Sequence, residues 1–163
     1  MKTGHASHGF PPLYNENSTI LILGSFPSVA SREVAFFYGH KQNRFWDVLA
    51  ACFGSSRPQS IEEKKAFCLA HGIALYDSIE SCTIKGSSDS SITDVEPSDL
   101  RPIFEAGKIR LLVFNGSASE KWFYRFQTPP SGIKAVKLPS TSPANAAFRL
   151  DDLIREWGAI LTK

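Results

Sequence analysis

Apolar residues in this chain fall into two spacings. Four runs are short and nearly continuous: Thr19–Leu23, Ile73–Tyr76, Arg110–Phe114 and Ala135–Leu138. They are aliphatic or β-branched, and turn formers follow each one. Unbroken apolarity over so few residues is what a strand covered on both faces requires. Between these runs the apolar positions recur every three or four residues, the period of a helix with one buried face. Asn43–Phe53 aligns Phe45, Trp46, Leu49, Cys52 and Phe53, and Gly54 stops it. Ser60–His71 opens on Ser60-x-x-Glu63, a capping-box pattern, and stops at Gly72. Asp99–Ala106 is a shorter candidate ending at Gly107, and Ser117–Phe126 opens on a second Ser-x-x-Glu. A last pattern, about Ala144–Leu161, aligns Phe148, Leu150, Leu153, Ile154, Trp157 and Leu161.

Strand and helix alternate along the chain. That order predicts an α/β fold: a three-layer α/β/α sandwich around a central four-stranded parallel sheet, with right-handed crossovers. The length of 163 residues suits one domain spanning 1–163, with residues 1–18 expected to be a loosely ordered segment. Long loops are expected at Gly24–Gln42 and Ser81–Ser98. In open α/β folds ligands bind beyond the carboxyl ends of the strands, where such loops gather.

Composition narrows the class. Hydrophobic residues at 42% and charged residues at 21% describe a globular chain rather than a disordered one. Cys52, Cys68 and Cys82 are scattered and odd in number, which disfavours a disulfide framework, a zinc ribbon or a four-thiolate cluster. A reducing, cytoplasmic setting is expected. The polar segment Met1–Ser18 lacks the apolar core of a signal peptide, and no run approaches the ~20 apolar residues of a membrane span. The net charge of +2 excludes a uniformly basic nucleic-acid binder, but it hides an asymmetry. Lys121, Arg125, Lys134, Lys137 and Arg149 occur in a stretch without any acid, so the remainder (13 basic, 16 acidic) carries −3. A locally basic surface beside the last strand fits contact with phosphates.

The candidate chemistry lies at strand ends. The first strand runs into Gly24-Ser25-Phe26-Pro27-Ser28, a tight turn whose backbone N–H groups can face a ligand. Then comes Phe36-Phe37-Tyr38-Gly39-His40-Lys41-Gln42-Asn43-Arg44-Phe45-Trp46. Aromatic faces stack on bases and cations offset phosphate charge. Phe45 and Trp46 also read as core, and Asn43 as a helix cap. Asp77 ends the second strand, as turn former or as a carboxylate in the cleft, while Asp89 reads as a turn residue. Asn115-Gly116-Ser117 ends the third strand at a helix start. The fourth leads into Pro139-Ser140-Thr141-Ser142-Pro143-Ala144-Asn145, a stiff loop of hydroxyls suited to phosphates, with an apolar tip able to wedge into a base stack. The histidines carry little weight: His5 and His8 fall in the segment expected to be loose, and only His40 lies in a candidate loop. No metal-ligand spacing and no phosphate-binding glycine motif is present, so no cofactor or metal is expected.

Together these features resemble the uracil-DNA glycosylase superfamily, most closely its hypoxanthine-DNA (deoxyinosine) glycosylase branch. G-S-F-P-S…F-Y-G-H-K-Q-N-R-F-W at Gly24–Trp46 is similar to motif one of the mismatch-specific uracil glycosylases and their relatives. There, G-I-N-P-G is followed by an aromatic, a His and N-R-F-W. L-P-S-T-S-P-A-N at Leu138–Asn145 resembles motif two, and G-S-S-D-S-S-I at Gly86–Ile92 also fits the hypoxanthine branch. Related uracil enzymes carry Asn or Asp inside the first turn to position or activate water. Phe26 occupies that place here and cannot do so. The resemblance therefore implies Asn43 as the catalytic residue. It also implies Gly24, Ser25, Phe26, Tyr38, Asp77 and Asn115 as base-binding, with Tyr38 stacking on the base and Asp77 reading its edge. His40, Lys41, Arg44 and Ser140, Thr141, Ser142, Pro143, Ala144 and Asn145 are implied as DNA-binding.

The expected activity is monofunctional excision of a deaminated base, foremost hypoxanthine, from DNA by a monomer, with no metal and no membrane contact. The alternatives are uracil or mismatch excision, a DNA- or nucleotide-binding module without catalysis, and an unrelated α/β domain holding a phosphorylated ligand at Gly24–Ser28.

Overall fold

The computed structural model describes residues 3–162. Its elements in chain order are β1 (Thr3–Ser7), β2 (Ile20–Gly24), α1 (Val29–Val34), α2 (Phe45–Cys52), α3 (Ile61–Ala70), β3 (Ile73–Asp77), β4 (Ile79–Lys85), β5 (Thr93–Pro97), α4 (Arg101–Ala106), β6 (Leu111–Asn115), α5 (Ser117–Phe126), β7 (Lys134–Leu138) and α6 (Leu150–Leu161). The four continuous apolar runs are β2, β3, β6 and β7, and they form one parallel sheet in the order β3-β2-β6-β7. All five residues of β2 and of β3 are buried, which is why neither shows polar alternation. Helices flank this sheet as the α/β/α expectation required.

The core explains the helical stripes. In α2, Phe45, Trp46, Val48 and Leu49 are fully buried, and Trp157 of α6 meets Phe45 edge-on at 6.0 Å. Phe123 of α5 packs on Phe114 of β6 at 5.1 Å. Ser60 caps α3 as its pattern implied, accepting from the Glu63 N–H at 3.0 Å; such a cap is worth about 1 kcal/mol. Before α5 the cap residue is Gly116 (φ 94°) rather than Ser117, which is already helical. The three cysteines are free thiols, and burial pushes Cys68 up to about 12 and Cys82 up to about 11.

A second sheet corrects two expectations. β1, β4 and β5 form an antiparallel sheet with β4 in the middle. Thr3–Ser7, expected to be loose, pairs with Ser81–Lys85. The order continues past β1: the His8 N–H donates to the Glu80 carbonyl at 2.8 Å, and Leu13 exchanges two backbone bonds with Leu75. Met1 and Lys2 of that segment lie outside the described residues. The expected loop Ser81–Ser98 is instead a hairpin whose connection holds a short 3-10 turn at Asp89–Ser91. The Gly24–Gln42 loop contains α1, capped by Ser28. β1 and β5 are polar and mostly exposed, so their order comes from pairing with β4, whose Ile79, Cys82 and Ile84 are buried. Finally, α6 starts at Leu150 rather than near Ala144, because residues 139–149 are held as a loop by the Arg44 side chain.

Register fixes the level of the site. Gly24 of β2 pairs with Asp77 of β3, and Asn115 of β6 with Leu138 of β7. All four are the last residues of parallel strands, so their successors open onto one edge of the sheet.

Candidate active site

At that edge lies a cavity of about 260 Å³. It is lined by Gly24–Ser28, Phe37, Tyr38, His40, Asn43, Asp77, Ser87, Asp89, Asn115 and Ser140–Ala144. The structure thus brings together every residue expected to bind a base, the residue expected to be catalytic, and most of the hydroxyl loop. Lys41, Arg44 and Asn145 do not line it. Phe37, Ser87 and Asp89 do, although the sequence pattern had not singled them out for the cleft.

One wall is a relay of neutral groups with fixed hydrogen directions. The Phe45 N–H donates to Asn43 Oδ1 at 2.9 Å, and the Thr141 hydroxyl donates to the same oxygen at 2.9 Å. A backbone N–H can only donate, so the atom facing it is the Asn43 oxygen. With both lone pairs of that oxygen engaged, the Asn43 amide presents its N–H₂, which has no partner among the described residues. Asn115 sets the Thr141 hydroxyl in turn. Its Oδ1 accepts from the Thr141 N–H at 3.0 Å, and its Nδ2 donates to Thr141 Oγ1 at 3.0 Å. Asn43 lies just before the cap of α2, whose cap position is Arg44; its oxygen still satisfies the first helical N–H. Thr141 is fully buried, so its hydroxyl belongs to this relay rather than to a phosphate.

The opposite wall is ionisable. Asp77 is buried, and its Oδ2 lies 2.7 Å from Nε2 of His8. His8 is fully buried, and its Nδ1 lies 3.0 Å from the Phe10 carbonyl. A Cβ on Gly24 would lie 2.3 Å from Asp77 Oδ1, so only glycine admits the carboxylate at this place. Tyr38 has a left-handed backbone (φ 52°) and stacks on Phe45 at 3.9 Å. Its hydroxyl is buried without a partner. Burial first, then the charge of Asp77, raise that phenol above its ordinary range.

Other candidates take roles that differ from the expectation. Phe26 is buried with Ile79, Cys82, Ile84 and Ile92, and the Arg32 guanidinium lies 5.3 Å from its ring centre. Ser25 donates to Asp89 at 2.8 Å, and burial raises the Asp89 carboxyl. Arg44, expected at DNA phosphates, donates instead to the carbonyls of Thr141, Ser142, Asn145 and Phe148. It ties the loop to the start of α2. The Asn145 amide likewise donates to the Ser140 carbonyl within the loop, leaving Pro143 and Ala144 exposed at its tip. The acid-free stretch does not make one patch. Lys134 begins β7 and sits with Arg110 at the far end of the sheet, whereas Lys137 reaches Ser117 near the cleft.

Residues 11–158 match the family model described as the uracil DNA glycosylase superfamily. The chain belongs to that superfamily. It is similar to a protein named hypoxanthine DNA glycosylase from Methanosarcina acetivorans, with 36% identity over 93% of this chain and 96% of the relative. A second protein of that name, from Methanosarcina barkeri, is 32% identical over 84% of this chain and 87% of its own length. The fold is also similar to a solution NMR structure of a candidate uracil DNA glycosylase from Methanosarcina acetivorans. The TM-score there is 0.80 at 33% identity, over 94% of each chain. Among the described residues of this glycosylase-family chain, no group of three or more His, Cys, Asp or Glu could hold a metal ion. No described helix is long and apolar enough to cross a membrane.

Proposed function

We propose that this chain is a monofunctional DNA glycosylase that releases hypoxanthine from deoxyinosine. The observation that carries this reading is the Asn43 amide, whose oxygen is saturated by Phe45 and Thr141 while its N–H₂ faces the cleft. Such a group cannot take a proton from water. It can donate to a departing base, and a donor aimed at developing negative charge in a closed site is worth about 10²–10³ in rate. The two relatives named hypoxanthine DNA glycosylase support the choice of base.

The target base must leave the stack to reach this cleft, and a deaminated base pairs poorly, which lowers that cost. Pro143 and Ala144, at the exposed loop tip, fill the gap. His40 and the Ser140 and Ser142 hydroxyls meet the backbone, while Tyr38 and Phe26 bound the base and the Ser25–Phe26 turn adds backbone donors. The bond from C1′ to the base breaks with its electron pair leaving on the base, toward Asn43. Water then bonds to the oxocarbenium-like C1′ and releases a proton to solvent. No lysine lines the cleft among the described residues, so no amine is placed to attack C1′ and cleave the strand.

The test is excision from labelled duplexes holding one inosine, uracil or xanthine, followed by alkali. Alkali-dependent nicking that is strongest at inosine is expected. Stronger nicking at uracil overturns the choice of base. Binding without nicking on all three duplexes overturns the enzymatic reading in favour of a binding module.

A further inference from the structure

The His8–Asp77 pair takes no part in the steps above, yet its aspartate lines the cleft, with His8 buried behind it. The Phe10 carbonyl can only accept, so the hydrogen it meets at 3.0 Å is on His8 Nδ1. The 2.7 Å contact between Nε2 and Asp77 Oδ2 then needs one further proton, carried by the nitrogen or by the oxygen. Either way the pair as a whole is neutral, which suits its burial. The rings of Tyr76 and Phe10, 4.2 and 4.4 Å from His8, accommodate a shared positive charge. Tyr38, Tyr76 with Glu80, and Asp89 are the other titratable groups facing the pair.

Hydrogen polarity at the cleft follows. Oδ2 is committed to His8, so the proton of the pair stays on that side. Oδ1, fixed beside Gly24, has no hydrogen-bond partner among the described residues. It offers the cleft an acceptor and never an O–H. We propose that His8 is a positioning residue which, by holding the proton away from Oδ1, makes the cleft select a base with a ring N–H over one with a bare ring nitrogen. Hypoxanthine presents N1–H on that edge, whereas N1 of adenine is an acceptor and would face Oδ1 lone pair to lone pair. This rests on the reading of the cleft as a pocket for an extruded base. Without His8, the Asp77 proton is free to sit on Oδ1 and pair with adenine N1.

The experiment compares binding to two duplexes carrying non-cleavable 2′-fluoro-arabino analogues, one of deoxyinosine and one of deoxyadenosine. Wild-type protein should prefer the first. His8→Phe, which refills the aromatic surroundings, should lower that preference at least tenfold. His8→Gln, whose amide can still donate to Oδ2, should recover most of it. A preference kept intact in His8→Phe, even with a lowered Tm, overturns the role of His8 alone. Equal binding of both duplexes by wild-type protein overturns the pocket reading, and the inference with it. Imidazole ¹⁵N NMR of the wild-type protein needs no substrate. Nδ1 bearing hydrogen, with a further shared proton at Nε2, is expected, and a bare Nδ1 overturns the pair as described.

Discussion

The two walls of the cleft solve one problem by different chemistry. Each must hold a side chain so that a chosen hydrogen-bond polarity faces a base. The Asn43 wall uses only amides and a hydroxyl, and its directions are dictated by two backbone N–H groups, those of Phe45 and Thr141. The Asp77 wall uses an ionisable pair, and its direction is dictated by a single backbone carbonyl, that of Phe10. The difference teaches that polarity anchored on the backbone survives changes of pH, whereas polarity anchored on a shared proton depends on where that proton sits. A donor for a leaving anion belongs on the first kind of wall, and a selector of base edges can use the second.

The sharpest way to break this contrast is at Asn43. Asn43→Ala should lower single-turnover excision by at least 100-fold, since it removes the donor. Asn43→Asp keeps an oxygen for Phe45 and Thr141 but replaces the donor by an acceptor, so it should lose as much. An aspartate variant that stays active would mean that this position activates water. Next in size is Thr141→Val, which cuts the relay and leaves the Asn115 N–H₂ without its Thr141 acceptor, while the Thr141 backbone N–H still meets Asn115 Oδ1. The rate should fall about tenfold, and stability by ~1–3 kcal/mol, readable as a drop in Tm of a few degrees. The smallest effect concerns Tyr38. Its phenol is raised in the folded protein by burial and by Asp77, so folding favours the neutral form. That contribution is complete below the ordinary phenol value of about 10 and is lost as pH rises above it. Tyr38→Phe should therefore show a shallower fall of Tm between about pH 10 and 11 than the wild type.

Apolar runs placed β2, β3, β6 and β7 to within a residue or so. Burial on both faces leaves almost no polar position in β2, β3 and β6, whereas the edge strand β7 keeps Lys134 and Lys137 exposed and was marked by its aliphatic residues alone. Ser60 and Glu63 marked a real cap for the same kind of local reason. β1 and β5 were not legible. Thr3–Ser7 and Thr93–Pro97 are mostly exposed edge strands, and their partners lie elsewhere in sequence, in β4. At the site, Asn43, Asp77 and Asn115 announced themselves by standing at strand ends or beside aromatics. Their hydrogen directions did not, since these depend on Thr141, 98 residues from Asn43. His8 looked unremarkable because an isolated histidine in a polar segment carries no periodicity. Its partner lies 69 residues away. Arg44 misled for the opposite reason: a cation next to a candidate site suggests phosphate, but here loop carbonyls surround it.

His8 follows directly on β1, the outer strand of the antiparallel sheet, which is bonded to β4 alone and has four of its five residues exposed. Outer strands with little buried surface open far more often than the whole molecule unfolds. Each such opening that reaches His8 strips Asp77 of its partner while the parallel sheet stays shut. Fraying of this peripheral ribbon is thus one route by which the Asp77 wall loses its partner, and amide protection along Thr3–Ser7 is a gauge of it.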